Sequence, residues 1–152
     1  MKVALASLTR REKVFSLAND GWLPAETARV GDVAATACLR RLDATSSWSL
    51  VGRLRLTLSL LCDRCAGEVL WPVDDEFVYR VVTEEDWPPD GEVDEESAAL
   101  WPVSGPALDL AEVFQERVFL ALPAKVLCAE DCRGLCAGCG ADLNQELCRC
   151  SR

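Results

Sequence analysis

Six cysteines fall between positions 128 and 150: Cys128, Cys132, Cys136, Cys139, Cys148 and Cys150. Thiolates are soft ligands, and four of them close a tetrahedron around zinc. The centre of the group, Cys136-Ala137-Gly138-Cys139-Gly140, has the form of a zinc knuckle. Two intervening residues let both sulfurs reach one ion, and the glycines permit the tight turn. One ion needs four thiolates, so two of the six are surplus. Spacing leaves open whether Cys136 and Cys139 are completed by Cys148 and Cys150 or by one cysteine from each flank. An iron–sulfur cluster is the other centre that thiolates alone accept; the glycines and the closely spaced pairs favour zinc.

A second pair stands in Cys62-Asp63-Arg64-Cys65. As a metal half-site it raises the total to eight thiolates, the number that two four-thiolate centres need. As a redox dithiol it should follow a strand and open a helix, whereas strand patterns lie on both sides of it. The third reading is a tight hairpin turn with reduced thiols and Arg64 presented outward. The flanks of the two CxxC pairs do not match, so no internal repeat is read. Cys38, alone in VAATACLRRL, reads as a small buried apolar residue.

The chain has nine cysteines and no histidine. Without an imidazole there is no Ser-His-Asp triad, no Cys-His dyad and no mixed Cys/His finger. Paired carboxylates exist at Glu84/Glu85 and Glu95/Glu96, inside an acidic run where neither burial nor a partner would tune them for acid or base work. No catalytic residue is assigned, no small-molecule substrate is expected, and the chain is read as a non-enzyme.

The elements that must position the thiols are legible in part. Trp48, Leu50, Leu54, Leu56, Leu58 and Leu60 alternate with Arg53, Arg55, Thr57 and Ser59, which predicts a half-buried strand running into Cys62. Val69, Trp71 and Val73 alternate again, and Phe77 to Val82 predicts a further strand, the three forming an antiparallel meander. Residues 1–52 predict one or two strands and irregular structure. Leu110, Val113, Phe114, Arg117, Val118 and Ala121 share one helical stripe, with Asp109 placed to cap its start and Pro123 to stop it. That stripe is the expected cover of the sheet. The fold class is therefore α+β: an antiparallel sheet, one main helix on it, and a small cysteine-rich tail. The expected division is a globular domain over 1–126, carrying an acidic loop over 84–106, and a zinc-binding tail over 127–152.

Half of the 152 residues are hydrophobic, which suits one globular domain. The N-terminal MKVALASLTRREKVF lacks a continuous apolar h-region, and no apolar run is long enough to span a membrane, so a cytoplasmic protein without a membrane partner is expected. A reducing compartment keeps thiols free for metal. Residues 1–65 hold ten Lys/Arg against six Asp/Glu, and residues 66–152 hold six against nineteen. Phosphate would be repelled over most of such a surface, which disfavours strong sequence-independent RNA binding as the main activity and favours protein partners.

The succession of an alternating strand ending in LLCDRC, an acidic middle, LDLAEVFQERVFLALP and the tail LCAEDCRGLCAGCGADLNQELCRC resembles the YceD family of large ribosomal RNA subunit accumulation proteins. The likeness runs over about residues 47–150, and its most specific part is GLC followed by a CG pair, LN and a terminal CxC. It implies a role in accumulation or processing of large-subunit ribosomal RNA and brings no catalytic activity with it. The expected function is thus a ribosome-biogenesis accessory protein that binds a ribosomal protein, an assembly factor or precursor large-subunit rRNA. Arg53, Arg55 and Arg64 are the candidate RNA contacts, with a solvated sheet face as the plainer reading. The rival function is a thiol switch in which surplus tail cysteines oxidise and release zinc.

Overall fold

The computed structural model describes residues 1–17, 21–24, 27–42, 46–87 and 99–150. In chain order the elements are β1 (Lys2–Ala4), β2 (Lys13–Leu17), β3 (Ala28–Arg41), β4 (Ser47–Leu61), β5 (Glu68–Thr83), β6 (Leu100–Val103), β7 (Ala107–Asp109) and α1 (Leu110–Ala121). Strands β2 to β6 form a sheet in sequence order, and β1 pairs with β7. Every pairing is antiparallel except β5 with β6, which is parallel.

The alternation in β4 decides the faces. Leu50, Leu54, Leu56 and Leu58 are buried, while Val51, Arg53 and Arg55 are exposed. Register carries the same sides across the sheet, with Leu39 opposite Leu50 and Leu50 opposite Tyr79. Helix α1 covers the buried face with Leu110, Val113, Phe114 and Val118, all fully buried. Phe114 meets Phe77 edge-on at 5.5 Å between ring centroids and Trp22 at 5.6 Å. Burying a side chain of this size contributes about 1.5–3 kcal/mol. Asp109 caps the helix by accepting a hydrogen bond from the Ala111 N–H at 3.0 Å.

The α+β class and the capped helix are as the sequence predicts. Four details differ. Residues 1–52, expected to hold one or two strands, carry β1, β2 and β3 and the start of β4. Val69–Val73 and Phe77–Val82 are not two strands but the single strand β5, because the intervening acids are accommodated. Asp74 faces solvent beside Arg55, and Asp75 takes a bidentate pair from Arg117 at 2.7 and 2.9 Å. Within 84–106, expected to be loop, Glu84–Asp86 forms a 3-10 turn and Leu100–Val103 adds to the sheet as β6; residues 88–98, most of the acidic run, lie outside the described residues. Cys38 is only half-buried, since it stands on the open face of the sheet opposite Val14 and Val51.

Strands β4 and β5 form a long hairpin. Their ladder is continuous from Ser47↔Val82 to Leu61↔Glu68. It delivers the Cys62–Gly67 turn to the end of the sheet remote from β6, and there the chain after α1 returns to meet it.

Candidate metal centres

Eight of the nine cysteines gather into two groups of four among the described residues: Cys62, Cys65, Cys128 and Cys132, and Cys136, Cys139, Cys148 and Cys150. In each group the four sulfurs lie within 4.8 Å of one another. A tetrahedron of sulfurs at about 2.3 Å from zinc has an edge of about 3.8 Å. The observed Sγ–Sγ distances bracket that edge. They are 3.8 Å for Cys62–Cys132 and 3.6 Å for Cys65–Cys128 in the first group. In the second they are 3.3 Å for Cys136–Cys148, 3.7 Å for Cys136–Cys150 and 4.0 Å for Cys139–Cys148.

Both CxxC segments fold into the same turn. Cys62 N–H donates to Gly67 O and Ala66 N–H to Cys62 O, each at 2.8 Å; Cys136 N–H donates to Ala141 O and Gly140 N–H to Cys136 O, again at 2.8 Å. Ala66 and Gly140 hold the left-handed conformation that closes each turn, with φ of 56° and 72°. The curl aims backbone N–H groups at the first sulfur. The Cys62 thiol is drawn down to about 6 by the N–H of Cys65, helped by those of Arg64 and Cys128. The Cys136 thiol falls to about 6 through the N–H groups of Cys139 and Gly138. A Cβ on Gly138 would lie 2.6 Å from Cys150 Sγ, so the glycine leaves the space that sulfur occupies.

One thiol of each group behaves oppositely. Cys128 is pushed up to about 12 by its hydrogen bonds to Cys132 and Cys65, and Cys150 to about 12 by those to Cys148 and Cys136. Four sulfurs this close do not all ionise without a counter-charge. A divalent cation supplies it, since metal coordination deprotonates a thiol outright. Donor type, number, spacing and electrostatics thus all fit a four-thiolate zinc centre.

The first group joins distant parts of the chain. Cys62 and Cys65 come from the hairpin turn, Cys128 and Cys132 from the segment after α1. Around them the tail is fastened by backbone bonds. Asp63 N–H donates to Val126 O at 2.9 Å, Val126 N–H to the Asp63 carboxylate at 2.8 Å, and Leu135 N–H to Arg64 O at 3.0 Å. Arg64 Nη1 donates to the carbonyls of Glu130 and Cys132 at 3.2 and 2.8 Å. The second group is built within the tail alone. Asn144, from the loop between its two pairs, reaches the first group: its Nδ2 donates to Cys132 Sγ at 3.4 Å, and its Oδ1 accepts from Arg133 N–H at 2.7 Å.

The six tail cysteines therefore do not share one centre. Cys136 and Cys139 meet Cys148 and Cys150, whereas Cys128 and Cys132 meet Cys62 and Cys65. Of the arginines singled out on the strands, Arg53 pairs with Glu76 at 2.9 Å and Arg55 with Asp74 at 2.9 Å, all on the exposed face. Arg64 is not turned wholly outward, since its guanidinium binds tail carbonyls. Sequence reasoning missed Asn144 as a residue linking the two groups; its place in the LN of the tail is the only signal it carries.

Residues 50–152 match the family model described as "Large ribosomal RNA subunit accumulation protein YceD". No curated protein and no solved structure matches the chain. No helix among the described residues is long and apolar enough to cross a membrane.

Proposed function

Because the chain belongs to the YceD family of large ribosomal RNA subunit accumulation proteins, we propose that it is a non-enzymatic, cytoplasmic accessory protein of large-subunit assembly, with two structural zinc centres. The observation that carries this reading is the pairing of the hairpin thiols Cys62 and Cys65 with Cys128 and Cys132 of the tail. A closed four-thiolate set leaves no open coordination position, so zinc there shapes a surface and activates no water.

The division at residue 126 into a globular body and a tail gains a physical basis on this account. The body supplies a hairpin tip, the tail brings the remaining ligands, and zinc fixes one to the other. The partner is a ribosomal protein or an assembly factor, with precursor large-subunit rRNA as a further contact. The acidic half of the chain suits a basic ribosomal protein. Arg53 and Arg55 are the RNA-facing candidates: their pairs are exposed, such pairs are worth at most about 1 kcal/mol, and phosphate can replace the carboxylates. Arg64 is assigned to holding the tail.

The test is the ratio of large- to small-subunit ribosomal RNA in host cells lacking the chain. The ratio falls, and the unaltered chain restores it while Cys62→Ser does not. An unchanged ratio would contradict the proposed role, and full rescue by Cys62→Ser would detach that role from the hairpin centre.

A further inference from the structure

The two thiolate groups differ in how far solvent reaches them. In the hairpin group Cys62 and Cys132 are 2% and 4% exposed, and Cys65 is half-buried. In the terminal group no sulfur is buried: Cys139, Cys148 and Cys150 are exposed and Cys136 is half-buried. Leu147, next to Cys148, is 84% exposed, so among the described residues no packed chain shields that side. Cys148 Sγ also lies between two other sulfurs, 3.3 Å from Cys136 and 4.0 Å from Cys139.

Resting on the zinc reading above, we propose that the terminal group is a peroxide-modifiable site, in which Cys148 and Cys136 join as a disulfide and release their ion while the hairpin group keeps its own. Access and a resolving thiol at hand are what a sulfur needs to pass from thiolate to disulfide under mild oxidant. The Cys148 thiolate attacks one oxygen of hydrogen peroxide; the O–O bond breaks, the sulfur becomes a sulfenic acid, and the departing hydroxide takes a proton to leave as water. The Cys136 thiolate then attacks that sulfur. The S–S bond forms, and the second hydroxide is protonated and leaves. Two thiolates lose two electrons, one peroxide becomes two waters, and zinc, left with Cys139 and Cys150 alone, departs.

The hairpin group offers no equivalent route through its buried pair. Its exposed member is Cys128, with Cys65 at 3.6 Å, so an attack there would leave a Cys65–Cys128 disulfide. The two routes are therefore distinguishable by the bond they leave behind. Selective loss of the terminal ion would free residues 136–150 while the hairpin staple still holds the tail to the sheet, changing one surface of the protein without unfolding it.

The experiment treats the zinc-loaded full chain with a small excess of hydrogen peroxide. It follows released zinc with a chromogenic chelator and maps disulfides by mass spectrometry. The expected result is loss of one zinc per chain ahead of the second, a Cys136–Cys148 linkage, and rebinding after dithiothreitol and added zinc. A Cys65–Cys128 linkage, simultaneous loss of both ions, or retention of both overturns the proposal while leaving the zinc reading intact. A chain that carries no zinc before treatment overturns both.

Discussion

Ala66 and Gly140 occupy the same station in the two CxxC turns. Each has a positive φ, 56° and 72°, and each donates its N–H to the carbonyl of the first cysteine at 2.8 Å. An L residue in that conformation is strained by about 1–2 kcal/mol, and glycine is not. The hairpin turn is thus the strained copy and the tail turn the relaxed one.

Exchanging the two residue types should act in opposite directions. Ala66→Gly relieves the strain at some cost in unfolded-chain entropy and is expected to stabilise by about 0.5–1 kcal/mol. Gly140→Ala is expected to destabilise its turn by about 1 kcal/mol. Melting temperatures of the two zinc-loaded variants check the signs.

Gly134 is held where the tail crosses the hairpin. Its φ is +73°, and a Cβ there would stand 2.7 Å from the backbone oxygen of Arg64. Backbone cannot yield as a flexible side chain can, so Gly134→Ala should cost about 2 kcal/mol and loosen the tail. Faster proteolytic cleavage between residues 122 and 135, with the sheet left intact, is the expected readout.

Arg117 sits on the apolar stripe of α1 yet makes the bidentate pair with Asp75, lies 3.3 Å from the Tyr79 hydroxyl and stacks 5.1 Å over the Phe77 ring. Burial works against its charge, but the bond to Asp75 dominates, so its pKa rises and it stays protonated. Arg117→Met should destabilise by about 1–3 kcal/mol, since it leaves a partly buried carboxylate without its donor. Urea unfolding with an unchanged m-value would show the effect to be one of stability alone.

Gly52 lies beneath the Phe77 ring, where an added Cβ would come within 2.1 Å of it. Gly52→Ala forces the ring off Phe114 and should cost about 1–3 kcal/mol by overpacking. Near-ultraviolet circular dichroism should report the displaced aromatic cluster.

Much of this architecture was legible in the residues. The period-two run of leucines in β4 and the capped stripe of α1 are local signals, and the structure keeps both. The knuckle at Cys136 and Cys139 was legible for the same reason, because its turn glycines are adjacent in sequence. Of the hairpin group only the half-site Cys62 and Cys65 was legible, because its partners lie 63 and 70 residues away in the chain, Cys128 from Cys65 and Cys132 from Cys62. Only topology brings them together. Strand β6 was hidden by its brevity and by Pro102, which suits an edge strand yet reads as loop. The break expected after Val73 failed because Asp74 and Asp75 find Arg55 and Arg117, partners that a period-two pattern cannot display.

Elemental analysis of the chain purified under reducing conditions should find two zinc ions, one for each four-sulfur group. Cys62→Ser and Cys136→Ser should each retain one. An unaltered chain that holds only one zinc, and keeps it in Cys62→Ser, would contradict this reading, because the hairpin and the tail would then be joined by something other than metal.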